Sequence, residues 1–353
     1  MSLRRDAFTG LLLGTAVGDA IGLPREGLSA RRAERMFGPP PLGHRLLFGR
    51  GMISDDTEHA CMTAQAWLES GGDPDRFARV FARKLRWWLA AIPAGVGLAT
   101  LRSGIKLWSG VAPSHSGVWS AGNGPVMRSP VLGLLAHDDA DHLVRLVRAS
   151  TMMTHTHPLA LDGAVATALA ARHAATYGPS GDVAMLLAEW DAHIQSTEMR
   201  TSLTAAARSA LDHVSPREYA GSIGCGDGVS GYILKTAPAA IFCWLRFRES
   251  LRDAVEAVVS LGGDSDSTGA LTGALAGADL GDSAIPPQWL DGLVDWPRSS
   301  KWIRSLADRL HQASERKWIS EPLPLNWAAL PIRNLVFTAV VLSHGVRRLL
   351  PPY

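Results

Sequence analysis

Cysteine is scarce in this chain: Cys61, Cys225 and Cys243 are the three in 353 residues, they form no CxxC pair, and their dispersal excludes a disulfide framework. A reducing, cytoplasmic setting is the expectation. An excess of one charge is also missing. Thirty-five Lys and Arg against 33 Asp and Glu leave a formal charge of +2, so no strong field recruits nucleic acid or an anionic membrane. Alternating Val/Ile/Thr runs bounded by turns are rare, which argues against a β-rich fold. No tandem repeat of fixed period and no sharp shift of composition divides the chain. The apolar run from Phe8 to Val17 follows Arg4-Arg5 in the manner of a secretory or twin-arginine signal, but Asp19 interrupts it and it is shorter than the ~20 residues of a membrane span.

What is present suits a substantial core: 46% of the residues are hydrophobic and 19% charged. Gly10, Gly14, Gly18 and Gly22 recur every fourth residue and lay a glycine stripe along one helical face, the mark of a closely packed core helix. Ala- and Leu-rich helical periodicity predicts further helices over Thr57–Ser70, Pro74–Ala91, Pro158–Tyr177, Ala184–Ile194, Arg200–Val214, Arg248–Leu261 and Ser267–Ala278. Gly and Pro clusters around Gly38–Pro41, Gly110–Gly117, Ser120–Pro130 and Gly221–Gly231 read as loops. The expectation is one all-α domain over 1–314, followed by a Pro- and Trp-richer extension over 315–353. The extension's closing run Asn334–Leu342 is too short to span a membrane and is expected to pack on the core.

Two acidic clusters stand at predicted helix starts: Ser54-Asp55-Asp56-Thr57, and Gly263-Asp264-Ser265-Asp266-Ser267 before the helix carrying Gly269, Gly273 and Gly277. Either alone is explained by capping, because short polar side chains satisfy the free N–H groups there and carboxylates favour the positive end of the helix dipole. Together, four carboxylates on close-packing helices repel one another unless protonated or neutralised by a cation. Every donor is oxygen, which selects Mg²⁺, Mn²⁺ or Ca²⁺ over Zn²⁺. Asp55 and Asp56 on one side and Asp264 and Asp266 on the other could serve two ions ~3.5–4 Å apart that polarise a water or a hydroxyl.

The order of six motifs resembles the ADP-ribosylhydrolase family, which includes dinitrogenase reductase activating glycohydrolase and ADP-ribosylarginine hydrolase. They are Gly18-Asp19-Ala20-Ile21-Gly22-Leu23-Pro24, Ser54-Asp55-Asp56-Thr57, Gly122-Asn123-Gly124-Pro125-Val126-Met127-Arg128, Thr154-His155-Thr156-His157-Pro158, Gly228-Val229-Ser230-Gly231-Tyr232 and Gly262 to Ala270. The resemblance covers about Arg4 to Ala313. It implies an all-helical hydrolase with a binuclear Mg²⁺ or Mn²⁺ centre that removes ADP-ribose from modified side chains. By resemblance Ser54, Asp55, Asp56, Asp264, Asp266 and Ser267 are the metal ligands, with Ser267 standing where threonine is more usual.

The same resemblance places Glu26 beside the metals and the distal ribose, to orient or deprotonate the attacking water; a metal-bound aspartate such as Asp56 is the alternative base. Gly122 and Gly124 leave room for backbone N–H groups to approach a diphosphate, with Asn123 as a donor there. Arg128 reads as a structural ion-pair partner, and His155 as structural. His157 matches the family position near the phosphates or ribose. Tyr232, next to Gly231, either stacks on adenine or ribose or packs in the core. The implied reaction cleaves the bond to C1″ of ADP-ribose on a protein, with ADP-ribose as product and arginine as the acceptor by resemblance to bacterial members. Serine-linked or O-acetyl-ADP-ribose, a modified nucleic acid, and a non-catalytic immunity protein that binds a cognate ADP-ribosylating toxin are the alternatives.

Overall fold

The computed structural model describes residues 3–316 and 320–351, so residues 317–319, 352 and 353 of the C-terminal extension lie outside the described residues. The described residues are all-α apart from a two-stranded ribbon. The helices are α1 Arg5–Gly22, α2 Ala30–Phe37, α3 Asp55–Ser70, α4 Pro74–Ala90, α5 Leu98–Trp108, α6 Ser129–Leu135, α7 Ala140–Met152, α8 Pro158–Tyr177, α9 Val183–His193, α10 Thr197–Leu211, α11 Pro216–Ser222, α12 Ile233–Arg246, α13 Leu251–Val259, α14 Ser265–Leu280, α15 Pro287–Gly292, α16 Ser300–Arg316 and α17 Ala329–Arg348.

The glycine stripes decide the centre of the fold. A Cβ on Gly10 would lie 2.1 Å from the carbonyl oxygen of Gly277, one on Gly14 2.1 Å from that of Gly273, one on Gly18 2.0 Å from that of Gly269, and one on Gly22 2.1 Å from that of Ser265. The register runs in opposite directions, so α1 and α14 are antiparallel and touch backbone to backbone. Only residues without a side chain permit this approach. The end of α1 is therefore set against the start of α14, and α1 is buried along almost its whole length.

The chain leaving α1 is tied to the same place. Leu28 and Ser29 pair antiparallel with Gly263 and Gly262, forming ribbon strands β1 (Leu28–Ser29) and β2 (Gly262–Gly263). Gly262 and Gly263 hold φ of +73° and +81°, and a Cβ on Gly263 would lie 2.1 Å from the Val229 carbonyl oxygen, so both the backbone conformation and the space require glycine.

All seven helices read from periodicity are present, with ends displaced by a few residues. The last helix departs from expectation. The run Asn334–Leu342 belongs to the twenty-residue α17, which by length and a hydropathy of 1.4 is long and apolar enough to cross a membrane. Its inner side buries Leu330, Arg333, Asn334 and Phe337 against the fold, whereas Ile332, Leu335, Leu342 and Val346 are exposed. On its buried side Phe337 packs with Leu23, Leu46 and Met52 in a small cluster apart from the main core.

Candidate functional site

Asp19 organises one half of the site. It is a buried carboxylate near the end of α1, and its Oδ2 accepts from the backbone N–H of Ser54 (2.8 Å) and of Thr57 (3.3 Å) and from Thr57 Oγ1 (2.5 Å). It thus holds the N-terminus of α3 from another helix. Ser54 Oγ accepts from the Asp56 N–H at 3.3 Å, as an N-cap should. Capping does not account for the rest. Asp56 Oδ2 accepts from Ser54 Oγ (3.3 Å) and from Ser267 Oγ (3.1 Å), and that second bond joins the two acidic clusters across 211 residues of chain. Asp264 makes no side-chain cap for α14; its Oδ2 accepts from Asn123 Nδ2 at 2.6 Å.

The electrostatics show one cluster. Burial raises the Asp56 carboxyl well above the usual range, and Asp55, Asp19 and Asp264 add repulsion. Asp266 is raised by burial and then by Glu26, Asp264, Asp56 and Asp19, and Asp55 by burial and then by Asp19, Glu58 and Glu26. Desolvation lifts Asp19 to about 6 against the pull of its own hydrogen bonds. Glu26 stands at the rim, open to solvent, and the surrounding protein together with Asp264 raises it while Arg348 opposes the shift.

Asp56 Oδ1 and Asp19 Oδ1 are buried without a hydrogen-bond partner. Among the described residues, no group of three or more His, Cys, Asp or Glu side chains is placed so that it could hold a metal ion. Mutually repelling carboxylates, an orphaned Asp56 oxygen and the hydroxyls of Ser54 and Ser267 make an all-oxygen donor set, whose chemistry fits a hard divalent cation.

The glycine loop borders this cluster. Asn123 Nδ2 reaches Thr236 Oγ1 (3.1 Å) as well as Asp264, and the Asn123 N–H donates to the Gly231 carbonyl at 3.0 Å. Gly122 pairs with Tyr232 in an antiparallel bridge. Gly231 is closed in by Asp264, whose Oδ2 would stand 3.0 Å from an added Cβ. Gly124 makes room for His155, whose Cε1 would lie 2.8 Å from a Cβ there. Tyr232 is 40% exposed, so core packing is not its role. His157 caps α8, accepting from the Leu159 N–H at 3.2 Å, and its ring lies 4.6 Å from that of the exposed Trp119.

His155 is buried and its pKa is pushed down to about 3 by desolvation and by Arg128, in keeping with a structural part. Arg128 is structural but not through an ion pair. Fully buried, it donates to Ser150 Oγ (2.9 Å), Ser150 O (3.0 Å), Thr154 Oγ1 (2.6 Å) and His59 Nδ1 (3.2 Å) and lies over the Phe81 ring, so neutral oxygens, an imidazole nitrogen and a π-face satisfy it. Sequence reading missed two residues. Asp19 was visible as a lone acid in an apolar glycine helix, whereas nothing local marks Arg348, which meets the Glu26 loop from the far end of the chain.

The family pattern for ADP-ribosylglycohydrolase matches residues 1–319. An uncharacterized protein of Archaeoglobus fulgidus is 32% identical over 88% of this chain and 98% of its own. The ADP-ribosyl-[dinitrogen reductase] glycohydrolase of Rhodospirillum rubrum is 29% identical over 82% of this chain and 90% of its own, and the ADP-ribosylarginine hydrolase Tri1 of Serratia proteamaculans 28% over 86% and 79%. A solved structure described as an ADP-ribosylglycohydrolase-related protein complex superposes with a TM-score of 0.64 at 30% identity, covering 88% of this chain and 99% of that one. With its acidic helix starts, its glycine loop and this match over nine-tenths of its length, the chain belongs to the ADP-ribosylglycohydrolase family, enzymes that hydrolyse ADP-ribose linkages.

Proposed function

We propose that this enzyme removes ADP-ribose from arginine side chains of modified proteins, with two Mg²⁺ or Mn²⁺ ions held by Ser54, Asp55, Asp56, Asp264, Asp266 and Ser267. The observation that carries the reading is the Ser267–Asp56 bond of 3.1 Å, which brings both acidic helix starts into one mutually repelling set. Such ions supply charge neutralisation and Lewis-acid polarisation when bound.

The chain's own residues do the rest. Glu26 stands at the rim with a carboxyl raised above the usual range by the surrounding protein and Asp264, which makes it a stronger base toward water than an ordinary glutamate. Asn123, fixed by Thr236 and Asp264, holds the glycine loop beside the acidic cluster, where the diphosphate would lie; its own N–H and that of Gly122 are spent on the Gly231 carbonyl and Ser120 Oγ. Tyr232 offers an exposed ring to the adenine or ribose, and the His157–Trp119 pair lines the approach. The carboxylates favour a cationic guanidinium over a neutral hydroxyl as the leaving side chain, and the name of the Serratia relative supports arginine. Three buried thiols support a reducing, cytoplasmic setting.

The test is release of ADP-ribose from matched arginine- and serine-ADP-ribosylated peptides, with Mg²⁺, with Mn²⁺ and with chelator. The arginine adduct should show the higher kcat/KM, and chelator should stop release. A preference for serine overturns the acceptor; turnover that survives chelation overturns the metal centre.

A further inference from the structure

The helix α17 lies beyond residues 1–319, where the family pattern ends, yet two of its arginines hold segments that border the acidic cluster. At one end, Arg348 Nη1 donates to the Glu26 carbonyl at 2.7 Å, and Nη2 to the carbonyls of Pro24 (3.0 Å) and Leu23 (3.3 Å). One guanidinium therefore grips the backbone on which Glu26 is mounted. Arg32, from α2, donates in turn to the Arg348 carbonyl and fixes the end of α17.

At the other end, 15 residues away and about four turns along the helix, Arg333 donates to the Ile53 carbonyl, immediately before the Ser54-Asp55-Asp56 run. It also donates to Asp295 Oδ2 at 2.7 Å, the atom that accepts the Ile53 N–H at 3.2 Å. Arg333 lies 3.6 Å from Glu58, which is paired with Arg298, so this end is anchored in a buried network of charges beneath α3. Asn334 Nδ2 adds a bond to the Ala91 carbonyl at 2.9 Å.

A single helix thus spans from the turn before the α3 carboxylates to the loop of Glu26. The far side of the Glu26 loop is tied by the Gly27 N–H to the Gly263 carbonyl at 2.7 Å and by the β1–β2 pairing, and Arg348 holds the near side, where Glu26 itself is exposed. We propose that α17 is a strut that sets the distance and orientation of the Glu26 loop relative to Ser54-Asp55-Asp56, with Arg348 as a positioning residue for the hydrolysis. This inference rests on the reading of Glu26 as part of the site.

The experiment compares R348A and R348K in the full chain. In R348A, kcat on the best adduct should fall about tenfold, as expected when a reacting group is misplaced, with KM and the affinity for Mn²⁺ alone within about twofold. R348K, which keeps a donor on a long stem, should recover most of kcat. Backbone hydrogen exchange over 23–29 should quicken in R348A and stay slow in R348K. If R348A gives no cooperative melt, R348Q is read in the same way. Wild-type kcat or wild-type exchange over 23–29 in a folded R348A overturns the strut, and so does a loss confined to KM. A wild-type protein inactive on every adduct overturns the proposed function instead, and the exchange comparison still decides the strut.

Discussion

Asp19 is a carboxylate sealed inside an apolar helix, and three donors from the start of α3 explain why it is tolerated. Removing it leaves two backbone N–H groups and a hydroxyl without their acceptor. Asp19→Ala should therefore lose about 2–3 kcal/mol of stability in urea melts, in line with stranding buried donors. Asp19→Asn keeps an accepting oxygen and should lie within about 1 kcal/mol of wild type, so that hydrogen bonding and charge are separated. The carboxylates beyond it behave in the opposite way. Asp266 has a raised carboxyl because burial and its neighbours disfavour the ionised form, so in the metal-free protein at neutral pH it subtracts from stability. Asp266→Ala should melt, without metal, at or above the wild-type temperature, while losing both turnover and the upward shift expected of Mn²⁺ on the wild type. A metal-free melt well below wild type would make Asp266 a structural cap.

At the scale of elements, the contact of α1 with α14 carries the site, because it sets Asp19 and the loop to Glu26 beside the start of α14. A Cβ on Gly18 would stand 2.0 Å from the Gly269 carbonyl oxygen, which is backbone and cannot swing aside. Gly18→Ala should cost about 3 kcal/mol or more and abolish activity, since the helices must part where Asp19 sits. Gly221→Ala, where an added Cβ meets nothing within 4 Å, is the control and should melt within a degree or two of wild type. The stripe was legible because a period of four glycines has one cheap explanation, and the Ala-rich helices because their periodicity is long. Helix α12 was not legible: Pro238 inside it reads as a breaker, and only burial of Ile233, Phe242 and Trp244 in the core overrides that local signal. The acidic runs and the glycine loop were readable as motifs. Their union was not, because the Ser267–Asp56 and Asn123–Asp264 bonds span 211 and 141 residues.

The whole molecule stores a dependence on acid in its buried imidazoles. His173 on α8 is 1% exposed, its ring 5.0 Å from that of Tyr177, and burial with the nearby Arg248 pushes its pKa from 6.5 down to about 4. His155 is lowered to about 3 and His59 well below its usual range for the same first reason. In the unfolded chain each takes a proton near pH 6.5, whereas the folded protein refuses it until far lower. Between those values the unfolded state binds more protons, so stability falls as pH falls, by about 1.4 kcal/mol per pH unit for each such group. The acidic cluster works the other way, because its raised carboxyls take protons in the folded state first. The informative quantity is therefore a difference between variants. His173→Phe, an uncharged ring in the same place, removes one titrating group and leaves the cluster intact. Its melting temperature should gain on wild type steadily from about pH 6.5 down to about 4 and run parallel above that window. Parallel curves throughout would mean that His173 takes its proton in the folded protein as readily as in the unfolded chain.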